Sequence, residues 1–357
     1  MMPSKTLSLW WIVLALAGLT GCSASSSHLA YVSLPVSNAV DAFRVNNDSG
    51  KFTVIVGSPF LAGNSPGPVI VSPSKEFLYV ANRTEDTISL FKIDSNIGSL
   101  TEVTPRTGTG FSPNSMVMDG GGKFLFVANQ VSSSISVYSI NSGSGALTEV
   151  TGSPFSTQPS PVGLAVTSSG SFLYVVNSNL KLVFGYAVGS DGTLQPVPGA
   201  RFAVGAGAFA IAVDPGDKFV YVANAADDTV SILSIASAGD LTPVAGSPFD
   251  TGTAPIAIAV SPSGQYLYIA NHTSNNITAY SIDSDTGVPT AVAGSPFSAS
   301  STPVSLVADP NGKFLYVLSQ GSAVIATLSV TSSTGVLATG TQSASAASIP
   351  VSMSVTK

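Results

Sequence analysis

The hexapeptide "FLYVAN" at 77–82 returns as "FLFVAN" (124–129), "FLYVVN" (172–177), "FVYVAN" (219–224), "YLYIAN" (266–271) and "FLYVLS" (314–319), with a degenerate copy, "LAYVSL", at 29–34. The last positions of these copies fall at 34, 82, 129, 177, 224, 271 and 319, a step of 47 or 48. A fixed period of that length requires a repeat architecture, in which each copy buries its apolar face against its neighbours.

Each copy reads as four short strands. A run such as "PVGLAV" (161–166) passes through a turn, "TSSGS", into "FLYVVN". A third strand rich in Thr, Val, Ile and aromatic residues follows, such as "ITAYSI" (277–282), and then a short outer strand such as "LTEV" (147–150). Glycine, proline, asparagine and aspartate fill the turns, where reversals need their dihedrals. Beyond the first 22 residues no stretch carries the 3.6-residue period of a long amphipathic helix. These features predict an all-β fold, a seven-bladed β-propeller with four antiparallel strands per blade.

The innermost strands begin at Pro66, Pro113, Pro161, Ala208, Pro255, Pro303 and Pro350. Their register is offset from the hexapeptides: the N-terminus supplies strands two to four of a blade, and the C-terminal "IPVSMSVTK" supplies a first strand with no second. Unpaired edges invite aggregation. Pairing the two orphans completes a blade, so the C-terminal strand is expected to close the ring.

The front end is of another kind. Lys5 precedes an apolar run from Leu7 to Gly18, and Leu19-Thr20-Gly21-Cys22 ends it. That order reads as a secretory signal with a bacterial lipobox, too short for a comfortable membrane span. Cys22 is the only cysteine, so lipidation leaves no thiol for disulfides or metal. The expected organisation is a signal peptide over 1–21, a lipid-anchored, Ser-rich tether over 22–28 that includes His28, and the propeller over 29–357. The expected location is the cell envelope, lipid-anchored at the outer membrane, because Ser rather than Asp occupies position 23. Loss of residues 1–21 removes Lys5 and takes the formal net charge from −6 to −7. An acidic balance without a basic stripe excludes nucleic acid as a partner.

At "SPSGQYLYIANHTSNNITAYSIDSDTG" (261–287) the pattern resembles bacterial seven-bladed propellers of the lactonase (6-phosphogluconolactonase-like) and YVTN types. The resemblance spans nearly the whole mature chain and implies the propeller fold, with lactone hydrolysis among the family's activities. Its lactonase members carry P-R-H near the start of an inner strand and N-E at the end of the next. Here the first position reads "PGP", "PNS", "PVG", "AFA", "PIA", "PVS" and "PVS". The repeat asparagine is followed by Arg83, Gln130, Ser178, Ala225 and His272, never by Glu.

Residues common to the blades are expected to hold the repeat. Asn82, Asn129, Asn177, Asn224 and Asn271 should bond turn backbone, and "GSPF" (57–60, 152–155, 246–249, 294–297) should pack between blades. "DSDTG" (283–287) reads as a turn rather than a calcium loop. Residues that break the repeat on one face are the binding candidates. The loops after strands two and four share the face where inner strands enter the channel. Arg83, Glu85, Lys181, Asp227 and His272 fall in the former. Arg106 and Arg201 replace the "SPF" proline in the latter. Converging at one mouth, they would take an anionic small molecule or glycan. The expected function is an envelope-anchored, monomeric binder of such a ligand or of an envelope protein, without catalysis. The alternative is a lactonase-family hydrolase with a diverged site at Arg106, Arg201 and His272; a pure assembly scaffold is the third reading. No metal, cofactor or catalytic set is expected: His272 has no motif that supplies a nucleophile.

Overall fold

The computed structural model describes residues 27–199 and 201–356. The signal, Cys22 and most of the tether lie outside the described residues. Among those described there is no helix.

Seven antiparallel sheets follow one another around a ring, each with its strands in radial order. Blade 2 is representative: Pro66–Val71 innermost, then Phe77–Asn82, Thr87–Ile93 and Leu100–Gly108. The inner strands of blades 3 to 7 are Pro113–Met118, Pro161–Val166, Ala208–Val213, Pro255–Val260 and Pro303–Ala308. Loops after second and fourth strands form the upper face; turns after first and third strands form the lower face.

The second strand is buried on both sides because it lies mid-sheet between two neighbouring blades. Phe77–Asn82, Phe124–Asn129, Phe219–Asn224 and Tyr266–Asn271 are buried at every residue. The apolar core is accordingly not one mass but a chain of interfaces. Tyr79, Leu90, Leu125 and Tyr138 join blades 2 and 3, and Tyr268, Ala270, Leu315 and Val317 join blades 6 and 7. Phe60, Phe155, Phe249 and Phe297 of the "GSPF" copies pack against these interfaces, as expected. Their serines add a contact that sequence did not reveal. The Oγ atoms of Ser58, Ser153, Ser247 and Ser295 each accept the third-strand NH of Ala42, Val137, Ile232 or Ala279 at 2.9 Å.

A tyrosine latch crosses the lower part of several interfaces. The hydroxyls of Tyr31, Tyr79, Tyr174 and Tyr268 donate to the carbonyls of Gly98, Gly145, Gly239 and Gly335 in the next blade, at 2.7–3.1 Å. Gly145 has a φ of +73°, and a Cβ there would stand 2.5 Å from the Phe77 ring, so glycine is required on both counts.

The ring closes as the sequence predicts. Ser352–Val355 pairs with Ser27–Leu34, placing Met353 opposite Val32 and Ser354 opposite Tyr31. Thr356 NH donates to Leu29 O (2.8 Å), and Leu29 NH donates to Thr356 Oγ1 (2.9 Å). The buried Asp41 holds the incoming segment by accepting Ala347 NH at 2.7 Å.

The first strand starts at Ser27, two residues earlier than the sequence implied. His28 is therefore not in a tether but at the seam, 9% exposed. Its Nε2 lies 3.0 Å from Asn311 Nδ2 and 3.6 Å from the buried Asp309 Oδ1. Burial pulls the imidazole below its ordinary value, against the raising effect of Asp309. His28 and Asn311 edge the lower mouth of the channel, a cavity of about 800 Å³ lined mainly by aliphatic side chains.

Candidate functional site

The upper mouth is a smaller cavity, about 360 Å³, lined by residues near the start of the seven inner strands and by one charged side chain, Arg83. The backbone places that side chain. Arg83 NH donates to Ser65 O at 3.0 Å, which pins the loop after the second strand of blade 2 against the incoming inner strand. The side chain then lies over Gly67: a Cβ at Gly67 would stand 2.5 Å from Arg83 Nε and 3.1 Å from its Cγ and Cδ. The other blades carry Asn114, Val162, Phe209, Ile256, Val304 or Val351 as the second residue of the inner strand. Only blade 2 leaves the space.

Arg83 is half-buried, and its Nε has no hydrogen-bond partner among the described residues. The ion pairs found among them involve other cations, namely His28, Arg106 and Lys313. Burial lowers the guanidinium's pKa from its ordinary value without discharging it at neutral pH. A partly desolvated cation with an unused donor, at the mouth of a concave site, is an arrangement that an anion or a polarised carbonyl oxygen completes.

The remaining predicted residues do not converge on Arg83. Arg106 does fall at the proline position, since Thr107 faces Ile88 just as Phe155 faces Ile135. That position belongs to the outermost strand, roughly 14 Å from the inner strand at three inter-strand spacings. Arg106 is consumed there by Glu102 Oε1 (2.7 Å) and Glu85 Oε1 (2.8 Å). Its pKa is raised by Glu102 and then by Glu85. Glu85 also accepts Asn64 NH at 2.8 Å, and that bond, followed by Arg106, holds its carboxyl below the usual range. Arg201 lies in an outer crevice with Tyr186 and Pro196, away from the channel.

Asp227 accepts Ala206 NH at 2.6 Å, the same loop-bracing part that Glu85 plays in blade 2. Lys181 occupies a turn position with φ of +54° and is exposed. At equivalent turn positions Asn38, Asp86, Asp228 and Asn275 accept the NH of Ser65, Ser112, Ala254 and Thr302 at 2.6–2.9 Å. The acidic residues at this face are thus structural braces. His272 follows its second strand as Arg83 does; it is half-buried, and its NH donates to Ala254 O at 2.9 Å. It is not among the residues lining the cavity.

The repeat asparagines also differ from expectation. Asn82 Nδ2 donates to Thr87 Oγ1 (3.0 Å) and Ser89 Oγ (3.1 Å), and Asn129 and Asn224 bond the equivalent hydroxyls. These three bond third-strand side chains, and the expected bonds to loop backbone occur at Asn224, whose Oδ1 also accepts Gly205 NH at 3.1 Å, and at Asn177, which donates to Pro159 O and accepts Leu180 NH. Asp283 is confirmed as a turn residue, accepting Asp285 NH (3.1 Å) and Thr286 NH (2.8 Å).

Comparison with known proteins agrees with this geometry. The solved structures similar to this chain include a candidate 6-phosphogluconolactonase of Bacteroides fragilis NCTC 9343. It has 21% identity and a TM-score of 0.81 over 94% of this chain and 99% of that one. A periplasmic gluconolactonase of Pseudomonas aeruginosa matches at 17% identity and a TM-score of 0.79, covering 93% and 99% of the two chains. The hydrazine synthase of Kuenenia stuttgartiensis also matches, at 17% identity and a TM-score of 0.62 over 84% and 95%, so the likeness is one of fold. No curated protein matches. The family profile described as lactonase, seven-bladed β-propeller, matches residues 22–163 and 156–355, and the chain belongs to that family.

Proposed function

We propose that this chain binds a lactone, or the hydroxy-carboxylate to which it opens, at the upper mouth, and that it hydrolyses the lactone. The observation that carries the reading is Arg83, whose Nε has no partner among the described residues and whose side chain lines the channel mouth. In hydrolysis, water adds its oxygen to the acyl carbon, the acyl–oxygen bond breaks, and a proton ends on the released ring oxygen. A guanidinium beside the carbonyl oxygen stabilises the charge that develops there, an effect worth roughly 10²–10³ in rate for one such donor. Membership of the lactonase family and likeness to a gluconolactonase support lactones as the class to test.

A second reading, binding without turnover, is favoured by one specific observation. The residues lining the upper cavity include no aspartate, glutamate or histidine to activate the water. Proton release on a panel of lactones separates the two. Turnover that falls about 100-fold in Arg83→Gln supports hydrolysis. Arg83-dependent binding of hydroxy acids with no turnover of any lactone supports the second reading. Failure of every lactone and hydroxy acid to bind removes both.

We also infer that Cys22 is lipidated and holds the propeller in the cell envelope. Loss of membrane association and of incorporated radiolabelled palmitate in Cys22→Ser would support this; unchanged fractionation would remove it.

A further inference from the structure

Resting on the lipidation of Cys22 inferred above, the outer edge of one blade points to the surface that meets the membrane. We propose that the propeller lies against a lipid bilayer through the rim of blade 1, with its ring axis along the membrane plane and both channel mouths open.

Blade 1 consists of the closing Ser352–Val355, then Ser27–Leu34, Ala39–Asn46 and Phe52–Val54, with Phe60–Leu61 continuing its outer edge. That edge breaks the repeat at three solvent-facing positions. Val54 faces Phe43 of the third strand and is 58% exposed. Blades 2 to 7 carry Glu102, Glu149, Pro196, Pro243, Ala291 and Thr339 at the same register. Leu61 faces Ala39 and is 75% exposed. Its counterparts are Gly108, Ser156, Ala203, Asp250, Ser298 and Ser345. Val56, 91% exposed, stands where blades 3 to 6 carry Thr151, Pro198, Ala245 and Ala293.

Ile97 adds a fourth aliphatic side chain, 55% exposed, in a turn where Ser49, Ser144, Thr286 and Thr334 precede the glycine of other copies. The Ile97 turn packs on blade 1: a Cβ at Gly98 would stand 2.6 Å from Leu29 Cδ2 and 2.7 Å from Ile55 Cδ1. A single exposed aliphatic residue is ordinary, but a cluster marks an interaction surface. The other blades pack without these four, so they are not needed to hold a blade together.

Charge and tether agree on the partner. The segment 51–62, "KFTVIVGSPFLA", carries Lys51 and no carboxylate, in a chain of net charge −6. Nearby Asp48 is paired with Lys313 at 3.2 Å. Arg44 donates to Ser27 Oγ (3.0 Å) and Asn96 O (2.6 Å), both neutral, so its charge is not cancelled by them. Aliphatic side chains with cations beside them suit a bilayer that contains anionic lipid. Cys22 precedes Ser27 by five residues, and Ser27 opens a strand two places inside this rim. Two inter-strand spacings are about 10 Å, and five residues reach at most about 17 Å. A lipid on Cys22 therefore brings this rim to the bilayer, while blades 4 and 5 lie across the ring.

The test uses single-cysteine variants of the full-length chain in membranes from expressing cells, since a lipidated Cys22 offers no thiol. Val56→Cys, Leu61→Cys and Ile97→Cys report the rim of blade 1. Thr151→Cys, Ala245→Cys and Ala293→Cys report the same edge in blades 3, 5 and 6. Each is labelled with a nitrobenzoxadiazole maleimide and quenched by a doxyl-labelled phospholipid. Quenching is expected to be several-fold stronger at the blade 1 positions. Adding Val54→Asp and Leu61→Asp to Val56→Cys should remove that difference while the chain stays membrane-bound, because a carboxylate resists transfer out of water. Equal quenching at all positions, or stronger quenching in blades 3, 5 and 6, would overturn the inference. So would a blade 1 dye that is blue-shifted yet unquenched, which marks a protein or a second copy on the rim. If quenching fails while the parent chain takes up no maleimide, the lipidation reading stands and only the rim contact falls. Maleimide uptake by the parent would instead remove the lipidation reading. The same comparison in a Cys22→Ser background, with vesicles of phosphatidylethanolamine and phosphatidylglycerol, then decides the rim alone, and absence of quenching there overturns it.

Discussion

Replacing Met353 by alanine empties the largest side chain of the closing strand from the interface between blades 7 and 1. Met353 is 6% exposed and belongs to the cluster of Ala30, Val32, Leu34, Phe43, Phe314 and Leu318. A buried methionine cut to alanine costs about 2–5 kcal/mol, the transfer of its side chain plus the cavity left behind. At about 2 °C per kcal/mol for a chain of this size, the thermal midpoint should drop by roughly 4–10 °C. Met353→Leu, which keeps most of the volume, should cost less than about 1.5 kcal/mol. Differential scanning calorimetry reads both, and amide exchange across 352–355 reads the strand itself. If closure holds the ring, the single transition moves as a whole. A midpoint that stays in place while exchange at 352–355 rises would mean that the strand frays without opening the ring, and the closure argument would fail.

Deleting residues 349–357 should abolish the cooperative transition, and a synthetic 349–357 peptide added in trans should restore it; a normal melt after deletion refutes the closure. Acidification should weaken the same seam through His28, whose pKa lies below 6.5 in the folded state because burial outweighs the raising effect of Asp309, while Lys75 also lowers it. Between that value and 6.5 the unfolded chain binds a proton that the folded chain refuses. The His28 contribution is therefore complete above pH 6.5 and declines as pH falls below it. Melts at pH 7.5 and 5.5 should show that decline in the parent and not in His28→Gln. Gly67→Ala should leave the melting point within a few degrees, since its backbone is not left-handed, yet weaken hydroxy-acid binding about tenfold by displacing Arg83. Arg106→Ala should change neither binding nor, by more than about 1 kcal/mol, stability, because its ion pairs lie at the partly exposed rim.

The fold was legible in the sequence because every blade repeats the same hydrogen-bonding problem with the same solution. Short runs rich in β-branched and aromatic residues between turn residues mark the strands, and a period of 47 or 48 fixes their count and the offset that closes the ring. The site was legible only in part. Spacing along the chain gives the height of a residue on the propeller but not its distance from the axis. Arg83 and Glu85 share one loop, yet the first turns inward and the second braces Asn64 and meets Arg106 at the rim. Arg106 and Arg201 share the expected face but belong to the outer strand. One signal for Arg83 was present: "PGP" at 66–68 is the copy with glycine at the second inner position. A missing Cβ beside a long side chain says where that side chain goes.

The split blade also sets a clock on synthesis. Ser33 is made 319 residues before Ser352, the residue it pairs with. At 5–20 residues per second the first strand waits roughly 15–60 s for its neighbour. Throughout that interval Ser27–Leu34 presents an open edge, and no order of assembly among the later blades shortens the delay. The ring is therefore committed by the emergence of Ser352–Val355, and not by that of the N-terminal strand with which it pairs.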